Sequence, residues 1–153
     1  MTIFRRARDR AVALWRLLRD ERSSPREVAA AVAVGAFAGC TPAVGFHGGL
    51  AVALASLLRL SRIWAFVGSR VSNVVLLPWI VLAEIETSHR LRTGAWIALS
   101  TADVLAHAGG LLLDWCLGSV VVGAAIASIC GVLAYGLARW RGGRAARSRA
   151  ADP

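Results

Sequence analysis

After Val28 the chain consists of apolar stretches marked off by a few polar or helix-breaking residues, and those marks predict the elements. Ser24-Pro25-Arg26-Glu27 has the form of a helix start: Ser24 is a capping residue, Pro25 suits the first helical position, and Glu27 completes a capping box. The helix so begun runs from Val28 to Gly39 and stops at Cys40-Thr41-Pro42-Ala43-Val44-Gly45, and a second apolar helix is predicted over Phe46 to Leu58. A hydrocarbon core about 30 Å thick needs about 20 helical residues, and each half offers roughly a dozen. Two geometries follow: a re-entrant hairpin that returns to its own side, or one long helix broken at its middle. Arg59 and Arg62, directly after the second half, favour the hairpin, because it returns them to the cytoplasmic side. Non-helical backbone at that depth must be covered by protein or line a cavity. Gly35, Gly39, Gly45 and Gly49 give each half a small face for close packing.

The next apolar segment, Ile63 to Ile85, is long enough to cross, yet it contains Arg70, Ser72, Asn73 and Pro78. Buried ionisable groups face a bundle interior or water, so Arg70 and Asn73, about one turn apart, are expected to point inward; the alternative is that Arg70 snorkels to the interface. Glu84 to Gly110 is the most polar interior stretch and is predicted to form an outer loop or an interfacial helix. Leu111 to Leu137 is the clearest span, interrupted by Asp114 and ending in Tyr135, Trp140 and arginines. At the other end, Phe4, Ala11, Trp15 and Leu18 share one side of a helix over Met1 to Arg22, with arginines over much of the rest, as in an amphipathic helix resting on an anionic membrane surface.

Composition agrees with this patterning. Of 153 residues, 57% are apolar and 18% charged, well above the apolar balance of an ordinary soluble domain. The net charge of +9 would suit nucleic acid or an anionic surface, and its position chooses between them. Seven arginines (Arg5, Arg6, Arg8, Arg10, Arg16, Arg19, Arg22) precede the first apolar stretch and five (Arg139, Arg141, Arg144, Arg147, Arg149) follow the last. This positive-inside pattern places both termini in the cytoplasm, requires an even number of crossings, and makes anionic lipid headgroups, not nucleic acid, the partners of the terminal arginines.

Catalytic chemistry finds little support. Asp103, His107 and Asp114 recur at helical spacing and could form a proton relay on one continuous face, although Gly109-Gly110 is placed to break that helix. His47, His89 and His107 lack metal-ligand spacing, no CxxC pair links Cys40, Cys116 and Cys130, and no nucleophile-elbow, Walker or dinucleotide-binding motif is present. No cofactor, metal site or catalytic residue is expected.

Ser24-Pro25, followed by Gly35-Ala36-Phe37-Ala38-Gly39-Cys40-Thr41-Pro42-Ala43-Val44-Gly45-Phe46-His47, resembles the bacterial membrane family called domain of unknown function 2062, whose pattern is a Ser-Pro start, an alternating Ala/Gly helix and Thr-Pro-x-x-Gly-x-His. The resemblance continues through Leu57-Leu58-Arg59-Leu60, Gly68-Ser69-Arg70-Val71-Ser72-Asn73, Pro78, and Gly118-Ser119 to Tyr135, covering Ser24 to Arg141. Val74 stands where the family usually has proline, and Arg70 where an aromatic is usual. The family has no established activity; some relatives carry a glycosyltransferase domain, which implies work on envelope glycolipid or polysaccharide.

These readings predict an all-α integral membrane protein of the bacterial inner membrane, with a broken or re-entrant helical hairpin, two further transmembrane helices and an N-terminal amphipathic helix. Its parts are a basic interfacial segment (1–23), a membrane domain (24–141) and a flexible basic cytoplasmic tail (142–153). The expected function is that of a non-catalytic accessory or transporter-like module in the lipid bilayer, partnered by a second copy or by an envelope-biosynthesis protein. The candidate binding residues, at polar breaks in the helices, are Thr41, Pro42, Gly45, His47, Arg70 and Asn73. The alternative is a membrane enzyme acting on a lipid-linked envelope substrate, with Asp103, His107 or Asp114 as acid or base.

Overall fold

The structure, a computed structural model, describes residues 23–72, 76–96 and 108–151. Every regular element among them is helical. Helix α1, Pro25–Gly39, starts as its sequence predicts, with the Ser24 hydroxyl accepting from the Glu27 amide at 3.2 Å and proline in the first turn. It ends at Cys40. The connection turns at Gly45, whose φ of 87° suits glycine, and α2 follows as His47–Leu57. Ser61 caps the short α3, Arg62–Gly68, by accepting from the Trp64 amide. A 3₁₀ turn, Ser69–Val71, continues it.

Helix α4 is Leu77–Thr93 and α5 is Ala108–Ala151. The apolar segment Ile63 to Ile85 is therefore divided between two helices. Pro78 gives the physical reason: proline lacks an amide hydrogen and its ring disfavours a preceding helical turn, so it opens α4 and does not sit inside a continuous span. Helix also extends through Thr93, so the first part of the stretch expected as an outer loop or an interfacial helix is helical. Gly94, at φ 75°, closes it, with its amide donating to the Arg90 carbonyl at 2.9 Å. Gly109 and Gly110 lie within the first turn of α5 and do not interrupt it. Beyond Arg141, where the sequence predicts a flexible tail, α5 continues as helix to Ala151. The amphipathic segment Met1 to Arg22 lies outside the described residues.

Helix α1 is central and packs against α2, α3 and α5, whereas α4 packs on α5. Because α2 lies against α1, with Ala51 and Ala55 joining Ala31 and Ala38 in one buried cluster, the two form a hairpin and not two segments of one line. Close approaches occur where side chains vanish. A Cβ on Gly35 would strike the Ala65 backbone, one on Gly68 the Val32 backbone, and one on Gly118 the Glu84 carbonyl. Along α5, Gly131 meets Ala29 and Ala33 while Gly123 meets Phe37 and Cys40, so α1 runs antiparallel to it. Helix α4 does the same one stretch earlier, with Arg92 at Asp114 and Glu84 at Gly118. Two short helices thus line one long one in succession.

The interior is made of small residues. Its buried apolar members are Ala31, Ala36, Ala38, Ala51, Ala55, Ala65 and Ala127, with Val28 and Cys40. The largest fully buried side chain among the described residues is a carboxylate, Glu84. Large apolar side chains lie outside, among them Phe46, Trp79, Leu117, Val120, Ile129, Val132, Leu133 and Leu137. One helix among the described residues, α5 over Gly109–Arg144, is long and apolar enough to cross a membrane, and only 28% of its most apolar window is buried in the protein. The core helix of a soluble protein would be mostly covered.

Candidate functional site

The turn between α1 and α2 holds most of the residues predicted to form a site, and its polar groups are satisfied locally. The Thr41 hydroxyl donates to the Ala38 carbonyl at 2.7 Å. The His47 ring lies with Nε2 2.9 Å from the Thr41 carbonyl, an acceptor, which places the ring proton on that nitrogen. The Pro42 carbonyl accepts from the Val44 amide at 2.8 Å, and Gly45 supplies the left-handed residue that lets the chain return. Thr41 and His47 thus fold the turn onto itself, so that its backbone carbonyls are paired within the turn.

The second break packs on the first. A Cβ at Gly39 would lie 3.0 Å from the Ser69 carbonyl oxygen and 3.4 Å from Ser72 Cβ, so the end of α1 rests on the 3₁₀ turn. At Gly48, in the first turn of α2, an added Cβ would meet the Phe66 ring at 2.9 Å and Arg70 Nη2 at 3.1 Å. The Arg70 guanidinium stacks over Phe66, 4.3 Å from the ring centroid. The structure therefore brings Arg70 to the start of α2, against Gly48, but on an exposed rim and not in the interior. Asn73 lies outside the described residues.

A second polar layer lies between α4 and α5, where the stretch predicted as an outer loop or an interfacial helix meets the start of the last span. Asp114 is 4% exposed. Its Oδ1 accepts from the Ser88 hydroxyl at 2.9 Å and from Arg92 Nη1 at 2.7 Å, and its Oδ2 lies 3.4 Å from His89 Nδ1. Nearer the middle of the molecule, the Glu84 Oε2 accepts from the Trp115 indole N–H at 2.8 Å. Glu84, Ser88 and Arg92 recur every four residues, so one helical stripe supplies all three, and that spacing was the available signal. The partners lie 22 to 31 positions away, which spacing alone does not reveal. Asp103 and His107, expected to share a relay with Asp114, lie outside the described residues. Among the described residues no group of three or more His, Cys, Asp or Glu side chains is placed to hold a metal ion.

Fold and site together define a small all-helical protein in which glycine and alanine interfaces support two packed helix breaks and a buried polar layer, beside one helix of membrane-crossing length. The chain belongs to the family described as uncharacterised protein conserved in bacteria, DUF2062, whose model matches residues 10–147. No curated protein and no solved structure matches the chain.

Proposed function

We propose that this protein is a multi-pass integral protein of the bacterial inner membrane, both termini cytoplasmic, acting as a non-catalytic module of the cell envelope. The observation that carries the membrane reading is the inverted side-chain distribution, with alanine, glycine and a carboxylate inside and large apolar residues outside. A water-soluble protein of this size does not leave so much large apolar surface uncovered. Lipid makes it the stable arrangement, because helices there associate through small residues, not through exclusion of large ones. The end of α1 at Cys40 lies level with Gly123, near the middle of the apolar part of α5, which is where the tip of a re-entrant hairpin belongs.

Within that reading, the accessory role draws on the first break. Thr41 and His47 are spent on backbone carbonyls, so the turn works as a packing joint between α1, α2 and the 3₁₀ turn. The transporter-like role draws on Arg70, which presents its charge on the rim of the joint, and on the buried acid Glu84. The enzymatic alternative draws no help from Asp114, whose oxygens are engaged by Ser88, Arg92 and His89.

The test is accessibility of single cysteines at Ala43, Ser61, Thr93 and Ser148, in a background with Cys40, Cys116 and Cys130 replaced by alanine, together with alkaline carbonate extraction. Retention in the membrane, labelling of Ser61 and Ser148 from the cytoplasmic side and labelling of Thr93 from outside is the expected result. Release by carbonate overturns the membrane assignment; labelling of Ser61 from outside overturns the hairpin. Replacing His47 and Arg70 then separates the roles: loss of assembly on His47→Ala marks a joint, and loss of a transport or binding activity with assembly intact on Arg70→Ala marks a site.

A further inference from the structure

Two carboxyl groups are buried between α4 and α5, and the protein treats them differently. Asp114 has a hydroxyl, a guanidinium and an imidazole around its two oxygens, so its charge is matched and each oxygen has a partner. Glu84, 0% exposed, has one hydrogen-bond partner among the described residues: Trp115 holds Oε2, and Oε1 is buried with none. No cation is paired with it among the described residues. An ionised carboxylate offers about four acceptor sites, and leaving a charged oxygen both dry and unpaired is among the more costly arrangements a protein interior contains. Leucine would fill the space without that cost.

Its surroundings restrict what could complete it. Gly118 brings the α5 backbone directly onto the Glu84 backbone carbonyl, so the two helices touch at this residue, and the side chain, 0% exposed, has no opening to solvent through which a bulky ligand could reach it. The ionisable groups on the elements packed nearby are the Cys40 thiol at the end of α1, within electrostatic reach, and Asp114 on α5. On its own helix, His89 and Arg92 are already committed to Asp114. What fits is the smallest cation. We infer that Glu84 is a proton-binding site of the membrane domain, with the proton carried on Oε1 and Oε2 held by Trp115. Binding forms the Oε1–H bond and takes the side chain from −1 to neutral; release returns one proton and restores the charge, with no other reactant. The site lies between the Asp114 cluster on one side and the Cys40 turn on the other, so it supplies the transporter-like reading with a coupling ion. It rests on burial within the protein, and so stands or falls separately from the topology.

The experiment is infrared difference spectroscopy of the purified full-length protein, read in the carbonyl-stretch region of neutral carboxylic acids. A neutral-acid band at neutral pH is expected in the wild type, lost in Glu84→Gln and kept in Asp114→Asn. Trp115→Phe removes the donor to Oε2 and is expected to move the same band to higher frequency, a readout independent of whether Glu84→Gln folds. Absence of the band from folded wild-type protein, its survival in Glu84→Gln, or no movement in Trp115→Phe overturns the assignment. Failure of carbonate retention with the band present would instead remove the membrane reading and leave the proton site.

Discussion

Arg92 and Asp114 form an ion pair whose members see different surroundings, since the arginine side chain is 46% exposed and the aspartate 6%. Removing Arg92 strands a buried carboxylate, whereas Asp114→Asn frees an arginine that reaches water on its own flexible stem. Arg92→Met is therefore expected to lower the melting temperature of the detergent-solubilised protein further than Asp114→Asn, and equal losses would show that Asp114 is not buried as described. Gly118 gives a second prediction. Gly118→Ala forces a Cβ into the Glu84 carbonyl and is expected to destabilise by about 1–3 kcal/mol, as overpacking does. Gly136→Ala, at a position where an added Cβ meets nothing, is the matched control and is expected to be neutral or slightly stabilising through helix propensity. Thermal unfolding of the two variants side by side gives the answer.

At the level of elements, the chain reverses between α1 and α2 through the positive φ at Gly45. No atom lies within 4 Å of a Cβ placed there, so the cost of Gly45→Ala is conformational alone, about 1–2 kcal/mol, with Gly45→Asn milder because asparagine tolerates the left-handed region. Unfolding in denaturant should rank them glycine, asparagine, alanine; an alanine variant as stable as wild type would mean that the turn has another conformation. These same elements show what is legible in the sequence. Ser24, Pro25, Pro42 and Gly45 act on their own backbone, and the helices they bound are predicted within a few residues. Pro78 also acts locally, yet it reads as a flaw inside a span because apolar residues continue on both sides of it. Charge alone leaves Arg70 open between the interior and the interface, while Phe66, one turn before it, offers the stacking surface that holds it at the rim. The α4–α5 polar layer is the least legible part, because Glu84, Ser88 and Arg92 declare a face only once Asp114 and Trp115 stand opposite.

Across the whole molecule, the outward apolar face yields the prediction that most directly separates lipid from water. Val120, near the middle of the apolar part of α5, is 57% exposed. On a soluble protein, Val120→Arg would be nearly neutral or would improve solubility; in a bilayer, arginine near the middle of a helix costs about 2.5–3.5 kcal/mol on insertion scales. Loss of the variant from the membrane fraction, with Arg144→Ala unaffected, is the expected outcome, and full retention would count against burial of this face in lipid. The antiparallel contact between α1 and α5 has a consequence for how the protein is made. Ala29 finds its partner Gly131 about a hundred residues later in the chain, a high sequence separation for a helical protein. At about 5–20 residues per second, the ribosome leaves the small-residue face of α1 without its mate for several seconds. Under the membrane reading proposed above, the hairpin enters the bilayer as an unfinished surface that the insertion machinery has to hold until the last helix arrives.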